Sequence, residues 1–303
     1  MRVAVTGATG LVGSALVPLL VARGHEVVRL VRTKAAASVA GKITDVEWHP
    51  ERGEIDAAVL AGVDAAVHLA GENISEGRWT DEKKRRIIES RRQGTRLIGE
   101  TLARLNPRPR ALVSASATGY YGDRGDEVLT EESAPGANFV AEVCREWEAA
   151  AEPARAAGIR TVHLRFGIVL TGAGGALVKM ATPFKFGVGG KLGNGAQYYS
   201  WITLEDALAV VLHALENESL TGPVNAVSPQ PVRNSEFTAA LGRVLGRPTI
   251  FPVPAFAARL AFGEMADELL LASARVEPAK LQASGFQFQH PTLDAALRHA
   301  LGK

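Results

Sequence analysis

Val3-Ala4-Val5-Thr6-Gly7-Ala8-Thr9-Gly10-Leu11-Val12-Gly13 carries a short apolar run straight into glycines spaced three apart. Gly7 permits a tight turn, Gly10 leaves room for a ligand to approach the backbone, and Gly13 lets a helix pack closely on the strand. Apolar periodicity over residues 10–23 predicts that helix. Its first amides have no partner within it, so its positive end faces whatever sits on the turn. A diphosphate fits that place. Three glycines alone are a weak signal, but between the strand and helix of one ~30-residue unit they specify a dinucleotide site. Gly7, Thr9, Gly10, Leu11, Val12 and Gly13 are its predicted contacts. Pro18 breaks the local rule, because a proline inside a helix removes a hydrogen bond at a cost of ~3 kcal/mol. A kink on the helix's outer side is expected there.

The next strand pattern, over 26–32, ends Leu30-Val31-Arg32-Thr33-Lys34. A site for an unphosphorylated ribose needs an acid near this point. Val31 stands there instead and accepts nothing. Arg32 offers forked donors to a 2′-phosphate, with Lys34 in support, which predicts NADP(H) over NAD(H); the alternative is an Arg32 that caps the strand in solvent. Leu69, Ala70 and Gly71 close the strand pattern at 65–69 with small residues and predict the next wall of the cofactor site. His68, just before them, reads as a packed strand histidine.

Further strand patterns lie at 45–48, 111–115 and 161–165, with helical stretches at 81–105 and 138–157. Most of the strands are continuous apolar runs, as expected of strands covered on both faces. Their alternation with helices predicts an α/β fold: a Rossmann-type doubly wound parallel sheet with a smaller C-terminal substrate-side domain. Residues 1–170 form the dinucleotide-binding part, with 201–228 returning to it. Residues 171–200 and 229–303 form the smaller domain, including a C-terminal module at about 250–300.

The 303 residues are 47% hydrophobic, enough for a large core, and 34 Lys+Arg against 32 Asp+Glu leave a net charge of +2. So even a balance excludes a nucleic-acid footprint, and the run Lys83-Lys84-Arg85-Arg86 reads as a solvated helix face. Cys144 is the single cysteine, so no internal disulfide forms. With no signal-peptide layout and no apolar stretch of ~20 residues, a cytoplasmic protein with no membrane or nucleic-acid partner is expected.

The chain resembles the epimerase/dehydratase branch of the extended short-chain dehydrogenases/reductases. It is most similar to the atypical "epimerase family protein" subgroup, family 39U. The likeness spans nearly the whole chain. It rests on residues 6–13, Asn73-Ile74, Arg78-Trp79, Ser90-Arg91, Ser114-Ala115-Ser116-Ala117-Thr118-Gly119-Tyr120-Tyr121-Gly122 and Ser200-Trp201-Ile202, together with the closing stretch from Gly263-Glu264-Met265-Ala266-Asp267 to Gly285-Phe286. The resemblance implies NADP(H) binding by an oxidoreductase or epimerase-like enzyme acting on a small molecule. It puts Arg91 where the wider family has an asparagine near the cofactor, and Arg165 at the cofactor edge. For each arginine an ion pair is the alternative. A homodimer through the helices at 81–105 and 138–157 is also implied.

Family chemistry uses a hydroxyl to orient the substrate, with a tyrosine whose pKa is lowered by a lysine four residues on. Ser116 matches the hydroxyl. The tyrosine and lysine fall on Phe139/Val143 or Val140/Cys144, and neither pair transfers a proton that way. Tyr120 and Tyr121, four and five residues beyond Ser116, are the candidate phenols, as an acid or as packing. Cys144 reads as an unactivated helical thiol. No metal-ligand spacing occurs. Two functions therefore stand: an enzyme with Ser116 orienting substrate, or a non-catalytic NADP(H) sensor acting through a partner.

Overall fold

The computed structural model describes residues 1–33 and 41–303; Lys34 lies outside them. The first six strands are β1 (Arg2–Thr6), β2 (Glu26–Val31), β3 (Ile43–His49), β4 (Glu54–Ile55), β5 (Ala65–His68) and β6 (Ala111–Ala117). They join the strands Arg160–Phe166 and Gly222–Ala226 in one eight-stranded sheet. From one edge the order is Gly222–Ala226, Arg160–Phe166, β6, β5, β1, β2, β3, β4. All neighbours are parallel except β3 and β4. The chain winds outward from β1 through β2 to β3, then crosses back to place β5 on the other side of β1. That reversal between β1 and β5 is the switch point where open α/β sheets bind ligands.

Alternate residues of β1 enter different cores, as a two-residue period demands. Val3 and Val5 pack with Leu16 and Leu20 of α1 (Leu11–Ala22) and with Val211 of the helix Leu204–Glu216. Ala4 packs on the opposite face with Ile98 and Leu102 of α2 (Asp81–Arg104). Leu16 is fully buried, so Leu16→Ala is expected to cost about 2–5 kcal/mol. Thr80 caps α2, its hydroxyl accepting the Lys83 amide at 3.2 Å, and Asp81 and Glu82 in the first turn suit the positive helix end.

The single helix expected over 138–157 is two: α3 (Phe139–Ala149) and a short Glu152–Ala156 piece with Pro153 in its first turn. Proline has no amide to continue a preceding helix and is tolerated where a new one starts. Pro18 lies on the exposed face of α1, whose assignment runs unbroken through it.

The later residues build a second core around Leu170, Leu177, Phe184, Trp201, Phe237 and Leu297. The strand Trp201–Thr203 pairs in parallel with Ile168–Leu170 and leads the chain back to the main sheet. Near the C-terminus, Arg275–Val276 pairs with Val128–Leu129, which ties the last module to the loop beyond β6. No helix among the described residues is long and apolar enough to cross a membrane.

Candidate functional site

Thr6 ends β1 and organises the switch point. Its hydroxyl accepts the amides of Leu69 at 3.1 Å and Ala70 at 3.2 Å and lies 2.8 Å from His68 Nδ1. Burial, reinforced by the Arg91 charge, lowers the His68 pKa to about 3, so the ring is neutral and packs edge-on to Trp48. It is a structural histidine.

Gly7 and Gly13 have a visible steric reason. Gly7 has φ +66°, and a Cβ there would lie 2.7 Å from the Leu69 carbonyl carbon. A Cβ on Gly13 would lie 2.2 Å from the Gly7 carbonyl oxygen, so the first turn of α1 tucks under the loop only without a side chain. Gly10 is the N-cap, in extended conformation, and its own amide donates to Gly7 O at 2.9 Å. No side chain caps α1 and no acid lies in its first turn. With Thr9 and Gly10 exposed, this positive helix end is offered to solvent.

Residues from both sides border the turn. Leu69, Ala70 and Gly71 follow β5 as expected, the first two half-buried and Gly71 exposed. From the later part of the chain, a Cβ on Gly175 would meet the Leu11 side chain at 2.8 Å, so the helix Gly175–Lys185 begins against Leu11. One turn on, Lys179 Nζ donates to the Ser75 carbonyl at 3.1 Å and hydroxyl at 3.0 Å, spanning to the loop after β5. Arg32 is exposed just past β2.

Arg91 is buried beneath that loop. It donates to the Glu72 carbonyl at 3.1 Å and the Ile87 carbonyl at 3.0 Å, and its guanidinium lies 4.7 Å from the Trp147 ring centroid. Burial lowers its pKa to about 10, against the Glu72 charge. A Cβ on Gly71 would sit 3.2 Å from the guanidinium carbon. Arg91 thus supports the wall from behind. Glu72 is held ionised by Lys83 at 2.7 Å, which lowers its pKa.

Ser116 is 3% exposed and donates to Glu148 Oε1 at 2.7 Å. Arg165 grips both oxygens of Glu148, each at 2.8 Å. The ion pair is therefore the alternative the structure displays for Arg165. Burial opposes the arginine's charge, yet Glu148 overcompensates and its pKa is raised. The same guanidinium donates to the Tyr121 hydroxyl at 3.0 Å and lies 3.4 Å from the Tyr120 ring centroid. Tyr121 in turn donates to Asn225 Oδ1 at 2.6 Å. Burial pushes the Tyr121 pKa up to about 12, which leaves it no proton work near pH 7; it is an anchor. Tyr120 is half-buried, with its face occupied by the Arg165 cation.

Of the two possible registers for the family's tyrosine and lysine, the structure turns Val140 and Cys144 toward β6. A Cβ on Gly119 would strike Val140 Cγ1 at 2.3 Å, and Cys144 Sγ lies 3.6 Å from the Ala117 carbonyl. Phe139 packs instead on Trp79 at 5.2 Å. One turn beyond Cys144 on the same face comes Glu148, which sequence reasoning missed; spacing of four from Cys144 was the available signal. Thr118 was also missed. It opens the turn at the carboxyl end of β6 and is half-exposed, two residues beyond the buried Ser116.

Burial raises the Cys144 pKa to about 12. A thiol with pKa raised in the fold stays protonated where the unfolded thiol ionises. That stabilising contribution is complete below the unfolded pKa near 9 and lost as pH rises toward 12. Ellman's reagent at pH 8 is accordingly expected to leave Cys144 unmodified in the native protein and to label it fully in urea. Rapid native labelling would contradict the burial. Among the described residues no group of three or more His, Cys, Asp or Glu side chains is placed to hold a metal.

A parallel sheet with its glycine turn at the switch point and a second core over its carboxyl edge defines a Rossmann-type α/β protein of the short-chain dehydrogenase kind. Residues 3–226 match the NAD dependent epimerase/dehydratase family, and residues 253–300 match a domain of unknown function, DUF1731. An epimerase family protein of Mycobacterium tuberculosis (strain CDC 1551) is 43% identical over 98% of this chain and 97% of its own. Human epimerase family protein SDR39U1, solved with NADPH, superposes with a TM-score of 0.88 at 33% identity, covering 100% of both chains. A structure described as a nucleoside-diphosphate sugar epimerase from Corynebacterium glutamicum gives 0.81 at 39% identity, over 100% of this chain and 58% of that one. The chain belongs to the NAD dependent epimerase/dehydratase family, among the SDR39U1-like epimerase family proteins that end in DUF1731.

Proposed function

We propose that this chain binds NADP(H) at the α1 N-terminus and acts as an oxidoreductase or epimerase-like enzyme on a small molecule. The observation that carries the reading is the uncapped, acid-free first turn of α1, closed under Gly7 and Gly13, where a side chain would strike backbone. The human relative solved with NADPH supports it. In this reading the amides from Thr9 to Gly13 hold the diphosphate, Leu69, Ala70 and Gly71 line the nucleotide, Arg32 selects the 2′-phosphate, and Arg91 stiffens the wall from behind. Bound there, the nicotinamide supplies or accepts a hydride.

The protein's own contribution is orientation. Ser116 has its proton committed to Glu148, so it meets a substrate only as an acceptor or after leaving that bond. Thr118, half-exposed at the strand end, orients a carbonyl without such a rearrangement. NADPH oxidation followed across carbonyl and enone libraries tests this. Turnover that falls at least tenfold in Thr118→Val is expected, with a smaller loss in Ser116→Ala; the reverse order restores Ser116 as the orienting group.

A second reading, an NADP(H) sensor without turnover, is favoured by one observation: Val140 and Cys144 occupy the face that should carry the proton-transfer pair. Tight NADPH binding with no turnover on any carbonyl or enone would decide for it. The homodimer proposed through α2 and α3 would meet a charged surface, since Arg92 pairs with Glu89 and Arg96 with Glu100 on α2. Light scattering at micromolar concentration should give twice the chain mass; a monomer mass ends that proposal.

A further inference from the structure

The glycine turn and the loop after β5 are joined by two routes. The first is direct: Gly7 lies against Leu69, where a Cβ would come within 2.7 Å of the Leu69 carbonyl carbon. The second runs through the later part of the chain. Leu11, in the first turn of α1, touches Gly175 at the start of the helix Gly175–Lys185. Lys179 stands one turn along that helix, and its ammonium donates to the Ser75 carbonyl at 3.1 Å and hydroxyl at 3.0 Å. From Ser75 the chain runs back through Gly71 to Leu69. These contacts close a ring. One side of it is the glycine turn and the end of β5; the other is Leu11, Gly175, Lys179 and Ser75.

The members of the ring are not held equally firmly. Glu72 is fastened to α2 three times: its amide donates to Ser90 Oγ at 3.0 Å, its carbonyl accepts from Arg91 at 3.1 Å, and its carboxylate takes Lys83 at 2.7 Å. Beyond it, Asn73 Oδ1 accepts the Ser75 amide and hydroxyl, each at 3.0 Å, and Trp79 Nε1 donates to the Ile74 carbonyl at 2.9 Å. The loop is thus a preformed unit. The helix Gly175–Lys185 is anchored as well, by Leu177, Ala181 and Phe184 in the second core. What joins these two anchored pieces is the side chain of Lys179, and both Lys179 and Ser75 are exposed. A lysine ammonium on a flexible four-carbon stem swings away from such a partner at small cost. The ring therefore opens most easily at this bond.

We propose that Lys179 and Ser75 form a latch across the bound dinucleotide, which enters and leaves when Lys179 lets go. The inference rests on the proposed NADP(H) site. A nucleotide whose diphosphate meets the amides from Thr9 to Gly13, with Leu69, Ala70 and Gly71 lining it, lies within the ring. Stopped-flow mixing with NADPH at 0.15 M salt gives the association and dissociation rates, beside an equilibrium titration. Lys179→Met should speed both, dissociation by about three- to tenfold, as expected for charge-assisted hydrogen bonds at an exposed site. Lys185→Met, which removes the same charge from the last turn of the helix, should change neither. In Ser75→Cys/Lys179→Cys a short bismaleimide joins the two exposed thiols, while Cys144 is buried. The linked protein should bind and release NADPH at least tenfold more slowly. Faster dissociation in Lys179→Met with unchanged or slower association would make Lys179 a direct nucleotide contact and overturn the latch. Wild-type rates in the linked protein overturn it too. A wild type that binds no NADPH in the titration overturns the parent reading and the latch with it, whereas binding with latch-independent rates overturns the latch alone.

Discussion

Gly13→Val is expected to weaken NADPH binding at least about 100-fold, a loss of roughly 2.7 kcal/mol. The expectation is geometric. The first side-chain atom would sit 2.2 Å from the Gly7 carbonyl oxygen and 2.9 Å from Ala8 Cα, and both are backbone with no rotamer to escape into. Either the loop lifts off α1 or the helix slides, and both scatter the amides that converge on the turn. Overpacking also costs stability, about 1–3 kcal/mol, so binding is measured by fluorescence below the melting range. Gly99→Ala is the matched control. It lies in α2, where an added Cβ meets Ala154 N at 3.5 Å, an ordinary contact, and it should leave NADPH affinity unchanged. Unaltered binding in Gly13→Val would mean that the ligand does not use this turn.

Glu148→Ala is expected to cost about 3–5 kcal/mol, because it leaves a buried guanidinium without its counter-charge. The side chains of Arg165 and Glu148 are only 3% and 14% exposed. Losing the carboxylate strands Arg165 between Tyr120 and Tyr121 and frees the Ser116 hydroxyl. Urea unfolding of Glu148→Ala, Arg165→Met and Glu148→Leu/Arg165→Met separates the effects. The double variant should recover much of the loss, since an apolar replacement of the whole pair leaves no orphaned charge. A cost below about 1 kcal/mol in Glu148→Ala would class the pair with exposed salt bridges.

The glycine turn and the strands were legible because their signals are local. The Gly7, Gly10 and Gly13 spacing and the apolar run at 3–6 need only their neighbours to be read, and β1, β2, β3, β5 and β6 each had a compositional mark; β4 and the pair Val128–Leu129 and Arg275–Val276, two residues long, are too short to carry one. The site beneath β6 was not legible in this way. Ser116 and Glu148 meet across 32 residues, Tyr121 and Asn225 across 104, and Arg165 lies between them. No local pattern reveals such partners, so Arg165 stayed open between cofactor and ion pair, and Tyr121 between acid and packing. Arg91 sits close to the place the resemblance implied, but its buried guanidinium faces carbonyls and Trp147. The break before Pro153 was visible in the sequence, although the apolar periodicity carried the expected helix across it.

Titration of the wild type and of Arg32→Ala with NADPH and with NADH, at 0.15 M salt, tests the central claim most directly. The account predicts that the wild type binds NADPH at least tenfold more tightly than NADH and that Arg32→Ala removes most of the difference. Equal affinities in the wild type, or no binding of either nucleotide, would contradict it.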